Sequence, residues 1–415
     1  MKENRLRITK ITVTRDTITC TYRVSGPWSR YFYSDNIFCI TYSDDISSVP
    51  ESVAAIPFLC NILPIAWLND GVIELDECDG DFYRSIPEFK KGYEAMYPML
   101  TFSGELAAGA VIENGSQALK GSAAFFSGGV DAFSTLISHM EEKPRLLTLW
   151  GADIKLDNKQ GWEKVSRHLH STADLYGLGY VEIKSPFREF INEAALNELV
   201  KDSGDGWWHG FQHGIGLIGH AAPYLYAKGL KTVYIASSLS PGDQTPCASY
   251  PTIDDHVRFC GCRVVHDGFD YRRQDKVRSL CNFTRDTGTS IPLRVCWQSS
   301  GGTNCCKCEK CARTMLAIQA EGLCPSDFGF EWNTKTRKQI KYRLLKYERI
   351  KDYRWQPIID RMRETHTTPG DRAEWGWLIN KSIEELNNTA AKRMRHTKCW
   401  KLLRKIKRRL IGSGQ

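Results

Sequence analysis

Residues 121–134, Gly-Ser-Ala-Ala-Phe-Phe-Ser-Gly-Gly-Val-Asp-Ala-Phe-Ser, read as a short buried strand, a tight glycine turn and the opening of a helix. Such a turn can hold a phosphate. Gly128 and Gly129 can take backbone angles closed to other residues and place no side chain in the way, so successive amide N–H groups can face an anion. Ser127 adds a hydroxyl, and the helix from about Ala132 aims its N-terminus at the same spot. Asp131 is placed to hold the Mg²⁺ that accompanies a polyphosphate. Two glycines also occur in plain strand-to-helix turns, so the reading depends on what else the chain supplies.

From about Lys120 the chain alternates strands with helices, the signature of a parallel sheet covered on both faces. Strands are expected at 123–126, 146–149, 179–183, 232–236 and 263–265, with helices to about Met140 and over about 161–176, 215–228 and 272–280. Ligands of open sheets bind beyond the carboxyl ends of the strands. Ser127 to Asp131, Gly151 to Asp153, Lys184 and Ser237-Ser238 all fall at such ends. Residues 1–118 read as a β-rich accessory domain, with strands at 8–14, 17–24, 31–41 and 72–75 and helices near 54–68 and 86–97. They show no chemistry. Residues 119–327 form the nucleotide-type domain, and 328–415 a mainly helical extension.

With 42% apolar and 25% charged residues over 415 positions, the composition is that of a globular protein with a sizeable core. No stretch approaches the roughly 18 apolar residues of a membrane span and Met1 to Lys10 lack a signal-peptide core, so a cytoplasmic protein is expected. The formal charge of +8 is misleading: residues 392–409 hold ten Lys and Arg and no acid, and setting those ten aside leaves −2. Any attraction to an anionic membrane or to nucleic acid therefore belongs to this tail, whose apolar residues fall near one helix face. A terminal helix docked on the body with a solvated basic face is the bland alternative.

Cysteine spacing carries the most specific local signal. Cys296-x8-Cys305-x2-Cys308-x2-Cys311 can converge on one tetrahedral Zn²⁺ as thiolates, leaving no ligand position open. A closed four-sulfur site staples a loop and does not activate water. An iron–sulfur cluster uses similar ligands. Cys306 is the spare, and the remaining cysteines, Cys39, Cys247 and Cys324 among them, read as buried thiols.

Ser127-Gly128-Gly129-Val130-Asp131 resembles the PP-loop of the N-type ATP pyrophosphatases, and the cysteine motif is similar to that of their 7-cyano-7-deazaguanine synthase branch. The resemblance covers roughly residues 120–325. It implies a Rossmann-like (HUP/PP-loop) α/β domain with a zinc-bound loop. It also implies an AMP-forming, ATP-dependent ligase that cleaves ATP between the α and β phosphates, transfers AMP to an oxygen of a small-molecule acid, and lets a nitrogen donor displace it. Carried over, Ser127, Gly128, Gly129, Val130 and Asp131 match the pyrophosphate and Mg²⁺ site, Gly151 and Asp153 the border of the adenosine, and the four cysteines the zinc ligands. Tyr250-Pro251 with Asp254, Asp255 and Arg258 is loosely similar to the substrate segment, and Arg273 and Lys276 are catalytic cations for phosphate or substrate. Lys184 and Arg188 are candidates for a carboxylate or phosphate. The family's loop usually ends in Ser or Thr where this chain has Ala132, with Ser134 as the substitute, and a helix opens at His213-Gly214 where the synthases tend to have Arg-Asn.

Positioning and charge neutralisation suffice for such chemistry, with no nucleophilic side chain from the protein. The sequence shows no Ser-His-Asp or Cys-His arrangement with helpful context. Two other functions remain: modification of tRNA or a nucleobase by adenylation followed by sulfur or nitrogen transfer, and a non-catalytic nucleotide-binding scaffold.

Overall fold

The computed structural model describes residues 3–33, 36–115, 119–243, 245–296, 302–389 and 392. Two compact units divide the chain, Met1–Arg272 with Ser300–Gly302 and Arg273–Ser299 with Thr303–Gln415. The first is an α/β unit on one mostly parallel sheet of 11 strands. In chain order these are β1 Arg5–Val13, β2 Thr17–Ser25, β3 Ile37–Tyr42, β4 Val72–Asp79, β5 Glu105–Ile112, β6 Ser122–Phe125, β7 Arg145–Trp150, β8 Tyr180–Lys184, β9 Thr232–Ala236, β10 Arg258–Phe259 and β11 Cys262–Asp267. Across the sheet they run β10-β11-β9-β6-β7-β8-β3-β2-β1-β4-β5.

Within that sheet β8, β7, β6, β9 and β11 pair in parallel, a third-second-first-fourth-fifth order of the doubly wound kind. The order in which the chain adds strands reverses between β6 and β9, and the glycine turn leaves β6 there. The strands read as expected because β6, β7 and β9 are buried at nearly every position, the pattern of strands covered on both faces. By contrast β1 to β3 alternate buried and exposed residues, as an antiparallel meander with one solvated face does.

The boundary expected at residue 118 falls inside this unit. β3 pairs antiparallel with β8, Thr41 opposite Lys184 and Tyr42 opposite Ile183, so the N-terminal strands extend the sheet. One core runs from Leu6 to Val264 through both halves. At its centre lies the helix Ile56–Leu68, buried at every residue but Leu68 and packed against the helices His213–Ile218 and Ala221–Lys228. A helix apolar all round must sit inside. Its Asn61 Oδ1 accepts from Gln212 Nε2 at 2.8 Å, Tyr42 OH donates to the His220 carbonyl at 3.0 Å, and Tyr93 OH to the Phe211 carbonyl at 3.0 Å. These buried bonds tie residues 1–112 to the helices that follow β8.

The second unit is helical among its described residues, with helices Arg273–Thr287, Glu309–Ala320, Thr334–Lys346, Asp352–Thr365, Pro369–Ile379 and Ile383–Asn387. Here too a boundary moves, since the extension expected from residue 328 packs with the cysteine segment. Trp355 Nε1 donates to Glu309 at 2.9 Å, Arg361 pairs with the buried Glu321 at 3.0 Å, and Thr365 donates to the Ala320 carbonyl at 2.9 Å. The basic tail read at 392–409 lies outside the described residues, apart from Lys392. Among the described residues no helix is long and apolar enough to cross a membrane.

Candidate functional site

Strand β6 ends at Phe125, and the chain turns through Ser127-Gly128-Gly129 into the helix Val130–Ser138. Gly128 has φ +73°, a left-handed angle that favours glycine, and this makes the turn tight enough for β6 to run directly into the helix. Gly129 is the N-cap and brings no side-chain hydrogen bond to the first turn, whose backbone N–H groups an α-helix leaves without helical partners. Asp131 stands in that first turn, half-buried, and Ser127 is exposed beside it. Ser134, the expected substitute for a hydroxyl at Ala132, is 7% exposed.

Along the helix that follows this turn stand polar groups that the sequence reading missed. Strand β11 was expected to stop at Val265 but runs to Asp267, which accepts from Thr135 Oγ1 at 2.7 Å and pairs with His139 Nε2 at 2.9 Å. His139 stacks on Tyr234 with ring centroids 3.8 Å apart, and Tyr234 OH donates to Glu142 at 2.9 Å. The network locks the helix Val130–Ser138 to β9 and β11, and therefore fixes where its N-terminus points. The signal was available, because an acid closing a strand of an open sheet lies on the rim where ligands bind.

The other rim candidates sort by what they touch. Gly151 has φ +115°, and a Cβ there would come within 2.0 Å of the Ser185 carbonyl oxygen, so its glycine is required by the close approach of the chains leaving β7 and β8. Gly151→Ala is expected to lower stability by about 2–4 kcal/mol, read as a drop in the urea midpoint. Asp153 is exposed on the same loop. Lys184 is exposed with Nζ 5.1 Å from the Trp150 ring, itself stacked on Trp162. Arg188 is committed elsewhere: it donates to the Ala152 carbonyl at 3.1 Å, pairs with Glu193 at 3.0 Å and lies 4.2 Å over Trp208. Ser237 is fully buried and its hydroxyl donates to the Leu239 carbonyl at 2.9 Å. His220 is buried, with Nδ1 at 2.7 Å from the Gly216 carbonyl and Nε2 at 2.8 Å from Ser185 Oγ; burial brings its pKa down to about 4, so the ring is neutral at pH 7.

Of the loosely matched substrate segment, Asp254 is fully buried and accepts from Ser249 Oγ at 2.7 Å, with His266 Nδ1 also 2.7 Å away. Burial raises the carboxyl of its neighbour Asp255 above the usual range. Arg273 and Lys276 belong to the second unit, on the helix Arg273–Thr287, where Lys276 is buried and Arg273 half-buried.

In the second unit Cys296, Cys305, Cys308 and Cys311 bring their sulfurs within 4.8 Å of one another, a group that could hold a metal ion such as zinc. Cys296 Sγ lies 3.9 Å from Cys308 Sγ, and Cys305 Sγ 4.0 Å from Cys311 Sγ. The edge of a tetrahedron with arms of about 2.3 Å, the zinc–sulfur length, is about 3.8 Å. Backbone N–H groups of Lys307 and Cys308 point at Cys305 Sγ at 3.4 and 3.3 Å, and that of Cys311 at Cys308 Sγ at 3.4 Å, which favours the thiolate form. The Cys311 thiol, through its side-chain hydrogen bond, contributes most to holding Cys308 down to about 5. Cys306 turns away at φ +51° and accepts from the Glu331 N–H at 3.2 Å, so it is the spare. Cys39 and Cys324, expected to be buried, are exposed.

No family model, curated protein or solved structure matches the chain.

Proposed function

We propose that the chain is an ATP-dependent, AMP-forming ligase of the PP-loop class, acting on a small-molecule acid with a nitrogen donor. The observation that carries this reading is the place of the Ser127–Asp131 turn: it leaves the first strand of the parallel segment exactly where strand order reverses between β6 and β9. Polyphosphates bind at such switch points because a helix N-terminus and a glycine turn there offer N–H groups that no side chain obstructs. In this reading the amides of Gly128 to Val130 and the Ser127 hydroxyl bind the β and γ phosphates, while the Gly151–Asp153 loop and Lys184 border the nucleoside. Asp131 holds Mg²⁺, which would neutralise charge on the departing pyrophosphate when bound. The four cysteines hold Zn²⁺ as a structural staple. His139, Asp267 and Thr135 act from behind, holding the helix at its angle.

The test is product analysis. Full-length protein with radiolabelled ATP and a panel of small carboxylic acids plus ammonium should release AMP and pyrophosphate in equal amounts, dependent on one acid of the panel. ADP and phosphate as sole products would overturn it, and tight ATP binding with no turnover for any acid would overturn it in favour of a scaffold.

A further inference from the structure

Far from the glycine turn in sequence, the segment after β8 contains a π-helical turn, Trp208–Gln212, that runs into the helix His213–Ile218. Wide turns of this kind are uncommon and are found mostly at functional sites. This one brings two imidazoles to a single sulfur. His213 Nδ1 lies 3.9 Å from Cys247 Sγ, and His209 is set beside the same cysteine, its carbonyl accepting from the neighbouring Ala248 N–H at 2.9 Å. Behind His209 stands Asp205, whose Oδ2 and Oδ1 are 2.9 and 3.1 Å from Nδ1, so that with Nδ1 donating to the carboxylate Nε2 is left to take up a proton. Asp205 is itself fixed by the Gly206 N–H at 2.7 Å and the Tyr97 hydroxyl at 3.1 Å. The backbone of the cysteine is pinned on both sides: its N–H donates to Met96 Sδ at 3.2 Å, and the Ala248 N–H to the His209 carbonyl at 2.9 Å. Cys247 is 2% exposed while the His209 side chain is 47% exposed, so the sulfur lies under a base that reaches the surface.

We propose that Cys247, with His209 as its base and Asp205 as the group that orients that base, is a nucleophilic acyl-transfer site for small carbonyl donors. The arrangement is the nucleophile–base–orienter logic of covalent catalysis. Charge distribution agrees with the geometry. Burial pushes the Cys247 thiol up, but the hydrogen bonds from His209 and then His213 outweigh it and bring it down to about 6. His209 rises to about 10, first through its bond to Asp205 and next through the sulfur. Tyr93 and Tyr97, which face the sulfur from the helix Gly80–Met96 and its end, are pushed up by burial and stay neutral. With Asp205 behind His209, the group rests at pH 7 as a thiolate beside an imidazolium.

In the step itself Sγ attacks the carbonyl carbon of an ester or amide, the C–S bond forms, and the bond to the alkoxide or amine breaks. The leaving group takes the proton from His209. Water, deprotonated by His209, then cleaves the thioester, releasing the carboxylic acid and restoring the thiol, so donor plus water gives acid plus alcohol or amine. None of residues 127–131 takes part, and Asp131→Ala should leave this reactivity unchanged; failure here and failure of the nucleotide reading are separate results.

Iodoacetamide labelling of the full-length protein between pH 5.5 and 9, with Cys247 followed by peptide mass spectrometry beside the exposed Cys39 and Cys324, tests it. The Cys247 rate is expected to level off above about pH 7, while an ordinary thiol gains about tenfold between pH 7 and 8.5. In His209→Gln the Cys247 rate should climb with pH like the reference cysteines. p-Nitrophenyl acetate should then place one acetyl group on Cys247 and release p-nitrophenol, with both lost in Cys247→Ser and slowed about tenfold in Asp205→Asn. A Cys247 rate that rises in step with Cys39, a Cys247 that stays unlabelled, or a level profile without an acetyl adduct would each overturn the proposal.

Discussion

Asp131→Ala is expected to reduce pyrophosphate release on the order of 100-fold or more while leaving the fold in place. Asp131 sits in the first turn of the helix Val130–Ser138, half-buried, whereas the residues that hold this helix are Val130, Phe133 and Leu136 in the core and Thr135 and His139 on Asp267. Losing an acid near a helix N-terminus costs about 0.3–1 kcal/mol of stability, so a small shift in melting temperature is expected. The catalytic loss is far larger, because the carboxylate would hold the cation that screens the leaving pyrophosphate. Turnover has to be followed at saturating Mg²⁺ with the acid that product analysis identifies. Asp131→Ala turning over at the wild-type rate would remove the PP-loop assignment. Thr135→Val offers the complementary case: it cuts one hydrogen bond behind the helix, so a smaller loss of rate with a measurable loss of stability is the expected pattern.

The parallel segment was legible because burial on both faces leaves a plain mark, runs such as Leu146 to Leu149 and Thr232 to Ala236 with no exposed position to interrupt them. What joins to what was not. The alternation in β1, β2 and β3 says that one face is covered, but nothing in Thr41 and Tyr42 announces that their partners are Lys184 and Ile183. β5 escaped notice for a physical reason: Glu105 to Ile112 is an edge strand with a single buried residue, Leu106, and Ala or Gly from 107 to 110, so its β-branched residues come only at the end and it has no period of two. The stretch 31–41 read as one strand is strand only from Ile37, and its first residue, Tyr31, instead closes the short 3₁₀ turn Pro27–Tyr31, which buries Trp28 and Tyr31.

The glycine turn and the cysteine group were both found because their residues are close in sequence. The cluster at Cys247 was not, since His213 lies 34 positions away and the π-helical turn that aims His209 has no sequence mark beyond two histidines four residues apart. Cys247 is indeed buried, as expected of it, but the upward push of burial on its thiol is outweighed by the two imidazoles, which bring it down to about 6. Arg188 shows the converse error. Its place after a strand end suggested a ligand, and its guanidinium is spent on Glu193, the Ala152 carbonyl and Trp208.

Cys308→Ser should remove the bound metal and several kcal/mol of stability from the second unit, because metal affinity at a closed four-sulfur site is folding free energy. The substitution separates two roles of the residue. Cys308 is the N-cap of the helix Glu309–Ala320, its sulfur accepting from the Cys311 N–H at 3.4 Å. Serine is among the best N-cap residues, so the variant keeps the cap and loses only the soft thiolate. A fall in melting temperature then reports the metal and not the helix. Wild type should carry about one Zn²⁺ per chain by metal analysis, and a strong chelator should destabilise it to the level of the variant. Cys306→Ser is the internal control: its sulfur accepts from the Glu331 N–H and lies outside the four, so it should keep full metal content with only a small loss of stability. Equal stability for wild type and Cys308→Ser, or much less than one metal ion per chain, would show that the four sulfurs are packed thiols. The chelator result also bears on the proposed ligase activity, since a closed site should affect turnover only through unfolding: at temperatures where the stripped protein stays folded, pyrophosphate release should be unchanged.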